Sequence, residues 1–144
     1  MDNFIARMYE WFGLFPGYSK DLDEFLRGLD YTCTQHLALH WYFYVAILML
    51  TTTVVIFGLQ YDLISIKRFK PRTEWELAAF MIAAFNFFIA FTIPFAAVLT
   101  ARYCVLLKLS FFDCITFGVS NAGWSLVVFG VLSLVQRVVV RTKK

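Results

Sequence analysis

A chain of 144 residues in which 60% are hydrophobic and only 16% charged cannot hide its apolar surface as a water-soluble domain; soluble domains carry roughly 25% charged residues. The net charge is +3, and the basic residues cluster beside apolar runs. Residues 31–61, 77–101 and 114–136 contain no Asp, Glu, Lys or Arg, and each run matches or exceeds the roughly 20 residues a helix needs to cross a membrane. The composition therefore predicts an all-α integral membrane protein: three transmembrane helices preceded by two short amphipathic interfacial helices.

The first apolar core begins near residue 37, behind an acidic and aromatic segment. That order does not fit a signal peptide, which starts with a short basic region, nor a transit peptide rich in Arg and poor in acids. The three cysteines are widely spaced and form neither a disulfide framework nor a CxxC pair. They read as small apolar residues.

Two regions follow from this division: an amphipathic interfacial segment, 1–36, and a three-span domain with a basic tail, 37–144. In the first, Phe4, Ile5, Met8, Trp11 and Phe12 recur at helical spacing. Gly13, Pro16 and Gly17 then interrupt the pattern. A second short helix is expected where Asp21 and Glu24 resemble a capping box, with Leu22, Phe25, Leu26 and Leu29 as its apolar face. Helices this short need a surface to lie on, either lipid or protein.

Cys33, His36 and His40 follow at positions i, i+3 and i+7 of one helical face. With Asp30 they give three or four ligand-type residues on a single helix, an incomplete zinc pattern. Haem held between spans would need a histidine from a second helix, and neither the second nor the third span contains one. The stretch reads first as a polar collar where a helix meets lipid; metal or haem ligation is the alternative.

The first span is expected over about residues 39–59, flanked by Trp41, Tyr42, Tyr44 and Tyr61, whose amphipathic rings suit headgroup depth. The connector carries Lys67, Arg68, Lys70 and Arg72. Pro71 stops one helix there, and Thr73 with Glu76 can cap the next. The second span is expected over 77–101, with Asn86, Thr92 and Pro94 inside it and a helical continuation into residues 102–110. The third is expected over 114–136, before a tail holding Arg137, Arg141, Lys143 and Lys144.

Connector and tail share one side and carry eight basic residues, against five on the other side. The positive-inside rule puts them in the cytoplasm, or in the matrix of a mitochondrion, with the N-terminus outward. A bacterial or mitochondrial inner membrane fits. The same rule accounts for the basic clusters as membrane-surface residues, so no nucleic-acid partner is expected, while bound lipids are.

No ionisable residue lies at mid-span, which argues against a proton relay or an ion-coupled transporter built from this chain. The polar residues at depth are Asn86, Thr92, Ser120, Asn121 and Ser125, each able to hydrogen-bond across helices. Pro94 cannot supply an N–H to the Ala90 carbonyl; Asn121 is one expected substitute donor, the competing account being that it lines a pore or faces a neighbouring subunit. Gly118 with Ala122, and Gly123 with Gly130, form small-residue stripes that predict close helix packing.

No GxSxG, HExxH or Gly-rich phosphate loop occurs, and no serine is poised beside a helical His or Asp, so no enzymatic activity is expected. The leading expectation is a non-catalytic subunit that packs and anchors within a homo-oligomer or a larger membrane complex, without a cofactor. The alternatives are an oligomeric, holin-like pore and a haem or quinone anchor using His36 or His40.

Overall fold

The computed structural model describes residues 4–5, 7–9, 19–28, 41–66, 71–100 and 109–142. All regular structure among them is helical: α1, Lys20–Arg27; α2, Trp41–Ile66; α3, Pro71–Thr100; and α4, Phe111–Thr142. Residues 4–5 and 7–9 are helical as well. Trp41–Gln60, Trp75–Leu99 and Phe111–Gln136 are long and apolar enough to cross a membrane, which gives three candidate spans. Leu48, Val55, Phe80, Phe88, Val131 and Leu134 are among many large apolar side chains left exposed on the bundle, as befits a surface solvated by lipid.

The helices alternate in direction. Phe57 of α2, Trp75 at the start of α3 and Phe129 late in α4 meet in one ring cluster, with centroids 5.4–5.9 Å apart. Tyr42 at the start of α2 and Phe117 early in α4 meet at the other end, where Phe91 and Phe95 of α3 also pack on Phe111. α2 and α4 therefore run parallel, and α3 runs against both. The tightest pairing is α3 with α4.

The start of α4 departs from the charge-free window. The helix begins at Phe111 and takes in Asp113, which is buried. Asp113 Oδ2 accepts the backbone N–H of Ser110, and the Asp113 N–H donates back to the Ser110 carbonyl at 3.0 Å. A carboxylate in the first turn satisfies an amide there and opposes the positive end of the helix dipole. That is why a charge sits inside the third candidate span.

α1 is capped differently from expectation. Ser19, not Asp21, is the N-cap, its hydroxyl accepting the Leu22 N–H at 3.1 Å. Asp21 and Asp23 lie inside the first turn, where they favour the dipole. Gly28 ends the helix with φ 68°, a left-handed conformation that costs glycine little. The expected apolar face is present in Leu22 and Leu26, both fully buried, with Phe25 beside them. Asp23 fastens this helix to α2 by accepting the Tyr42 hydroxyl at 2.9 Å, and within α1 it also accepts Arg27 Nε at 2.9 Å.

Candidate functional site

The polar residues of the three spans converge at mid-depth. Asn86 stands eleven residues into its candidate span and Asn121 ten into its own, about 15 Å from the span start at 1.5 Å per residue. Asn121 Nδ2 donates to the backbone carbonyl of Asn86 at 2.8 Å. Asn86 Nδ2 donates to the Ile82 carbonyl of its own helix at 3.0 Å. Asn86 Oδ1 accepts from Thr52 Oγ1 at 3.0 Å, a hydroxyl that also lies 3.0 Å from the Met49 carbonyl. Two amides and one hydroxyl thus tie α2, α3 and α4 into a single layer. Such groups stay paired because an unpaired amide in a low-dielectric interior loses the solvation it had in water.

This layer corrects two expectations. Asn121 serves the carbonyl of Asn86, one turn before the Ala90 carbonyl that faces Pro94. The helix crossing sets the register: it brings Gly118 against Phe87, and Asn121, one turn along α4, then meets Asn86. The hydroxyls of Thr92, Ser120 and Ser125 do not cross between helices. They donate to Ile89, Thr116 and Ala122 within their own helices, at 2.9, 2.9 and 2.7 Å. A hydroxyl on a short side chain reaches the carbonyl three or four residues back more easily than it reaches a neighbouring helix. Thr52, which sequence patterning did not single out, makes the crossing bond instead.

Gly118 marks the close approach of α3 and α4. A Cβ there would lie 2.8 Å from the Phe87 ring and 3.1 Å from the Phe87 carbonyl oxygen. Asn121 and Ser125 are buried on the same face, with Ala122 half-buried between them. Gly130 behaves otherwise: it is exposed, and a Cβ at that position would meet nothing within 4 Å. Gly123 is half-buried. Within one chain, then, the small-residue contact is at Gly118 and does not extend to Gly130. Pro94 is buried inside α3.

The least expected component comes from the N-terminus. Phe4 is 69% exposed, while Tyr9, absent from the expected apolar stripe, is 2% exposed. The Tyr9 hydroxyl donates to Asn121 Oδ1 at 2.7 Å. Its ring lies 5.4 Å from both Tyr42 and Phe117. One residue earlier, the Met8 carbonyl accepts the indole N–H of Trp124 at 2.8 Å. The buried face of this segment therefore runs through Ile5 and Tyr9, four apart, and docks into the bundle rather than lying flat at its edge. Burial pushes the Tyr9 phenol well above its usual value, because phenolate would lose its hydration there. The neutral hydroxyl is the form that donates.

Cys33, His36, His40, Lys67, Arg68, Lys70, Lys143 and Lys144 lie outside the described residues, as do the side chains of Arg72 and Arg141. The far ends of both expected N-terminal stripes, Trp11, Phe12 and Leu29, and the continuation of the second span beyond Thr100 fall outside them too. Among the described residues, no three His, Cys, Asp or Glu side chains gather as a metal site. Comparison of the chain with protein-family models, with curated proteins and with solved structures gives no match.

Proposed function

We propose that this chain is a non-catalytic multi-pass membrane subunit that packs and anchors within a homo-oligomer or a larger membrane complex. The observation that carries the reading is how the mid-depth polar groups are used: Asn86, Asn121, Thr52 and Tyr9 are committed to one another and to helix carbonyls. An interior built this way serves cohesion between helices, whereas catalysis or ion transfer calls for titratable groups at depth. The outer faces are apolar, and the open surface at Gly130, beside Val127, Val131 and Leu134, can accept a neighbouring helix or a lipid chain. The positive-inside rule orients the N-terminus outward and the tail toward the cytoplasm or matrix of a bacterial or mitochondrial inner membrane.

Purification in mild detergent, with size-exclusion chromatography and a visible absorption spectrum, tests the reading. Assembly into a complex larger than one chain, without a chromophore, is the expected result. A lone monomer would remove the subunit reading. A Soret band lost on replacing His36 and His40 with Gln would replace it with a haem anchor, and dye release from liposomes by the purified protein would replace it with a pore. Single cysteines at positions 20, 69 and 143 should label from the outside, the inside and the inside respectively.

A further inference from the structure

We infer that Arg7 holds the phosphate of a membrane phospholipid, drawn below headgroup level against the N-terminal segment. The first ground is depth. Trp124 stands thirteen residues into its candidate span, about 20 Å from the span start at 1.5 Å per residue. Its indole N–H donates to the Met8 carbonyl at 2.8 Å, and helix side chains lean toward the start of their own helix. Met8 is therefore about level with Asn121, three residues earlier, which accepts the Tyr9 hydroxyl at 2.7 Å. Bonds from two adjacent residues thus give the same depth. A hydrocarbon core about 30 Å thick, centred on a 26-residue span, begins within about 5 Å of the span start. Arg7, about 3.8 Å from Met8 along the chain, lies inside that core.

The second ground is exposure. Ile5 and Tyr9 pack into the bundle, whereas Arg7 is exposed and Phe4 is 69% exposed. Among the described residues no hydrogen bond or ion pair engages Arg7. A guanidinium facing hydrocarbon is costly, so a charged residue at such depth takes a counter-charge or extends toward the interface. A lipid phosphate meets both needs. The planar guanidinium fork matches two phosphate oxygens, and a bilayer thins locally around such a charge. The acyl chains below that phosphate then cover the exposed Phe4 ring. A free anion has no chains to carry it to this depth. The site stands whether the chain works alone or within a complex.

The test uses the full chain with Cys33, Cys104 and Cys114 replaced by Ala and an apolar bimane fluorophore on the single reporter Phe4→Cys. In liposomes, phospholipids brominated on their acyl chains should quench the reporter, and aqueous iodide should not. Lipid-stripped protein in mild detergent is then titrated with chain-brominated phosphatidylglycerol. Arg7→Gln should raise the concentration for half-quenching about tenfold, the effect of losing hydrogen bonds to a charged group. Arg7→Lys, which keeps the charge, should stay closer to the parent. Because Arg7 is exposed, these changes leave the packing of Ile5 and Tyr9 in place. A brominated galactosyl diacylglycerol, which lacks phosphate, should quench the parent and Arg7→Gln alike. Quenching by iodide in liposomes overturns the inference, as do equal phosphatidylglycerol midpoints for the parent and Arg7→Gln. So does a second protein chain that cross-links at position 4 and is released by Arg7→Gln, which would make the counter-charge a carboxylate.

Discussion

Beside Trp75, α2 and α4 are closed by three aromatic rings from the spans themselves; beside Tyr42, the closure includes a ring delivered from residue 9. The first closure is apolar, with Ala78, Ile82 and Phe129 as its buried centre. The second combines ring packing with a phenol hydroxyl donated to an amide. The contrast bears on cohesion in lipid. Lipid chains are as apolar as the side chains they touch, so ring packing gains from dispersion and close fit and not from escaping water. A hydrogen bond adds direction, and here it fixes how deep the N-terminal segment sits.

The sharpest break of this comparison lies between its two halves, at the close crossing. Gly118→Leu should destabilise the bundle by about 3 kcal/mol or more, because its side chain would drive into the Phe87 ring and backbone. Gly130→Leu, with open space around it, should leave unfolding of the single chain within about 0.5 kcal/mol of the parent. Unfolding curves in detergent give both values. If the two variants are equally stable, α3 and α4 do not cross at Gly118.

Next come the two closures. Phe129→Ala and Tyr9→Ala each remove a buried ring and should cost about 3 kcal/mol at most sites of this kind. They should differ in kind: loss of Phe129 loosens α2, α3 and α4 together, whereas loss of Tyr9 frees the N-terminal segment and leaves the far end intact. Hydrogen exchange resolved along the chain separates these outcomes. Uniform loss of protection in the Tyr9 variant would mean that the two ends are one cooperative unit.

The smallest effect is the most specific. Tyr9→Phe keeps the ring and removes the hydroxyl, at a cost of about 0.6 kcal/mol, typical of hydrogen bonds between membrane helices. Combined with Asn121→Leu, which removes the acceptor, the costs should fall short of additive by about 0.5 kcal/mol or more. Combined with Phe129→Ala they should add. Additivity in both pairs would dissolve the bond between Tyr9 and Asn121.

Much of the frame was legible in the chain. Length and charge-free runs predicted three spanning helices because a membrane demands about 20 uncharged residues per crossing and satisfies no backbone group outside a helix or closed barrel. Asn121 and Gly118 stood out for the same reason: an amide or a missing side chain at depth needs a partner. Leu22 and Leu26 followed from helical period. The capping of α1 by Ser19 was missed although a serine is a strong N-cap, because Asp21 and Glu24 offered a second pattern two residues later.

Pairing, by contrast, was decided by tertiary structure. Nothing local distinguishes Thr52, which bonds across to Asn86, from Thr92, which bonds back along its own helix. Which carbonyl Asn121 reaches depends on the register of α3 against α4, and one turn separates Asn86 from Ala90. Tyr9 is the clearest case. Its neighbours suggested an apolar stripe at a membrane edge, and its ring is instead buried against Phe117, with its hydroxyl on a residue 112 positions away. Periodicity states which side chains share a face of one helix; which face another element will cover, and at what depth, is fixed only when the helices pack and each buried polar group finds its partner.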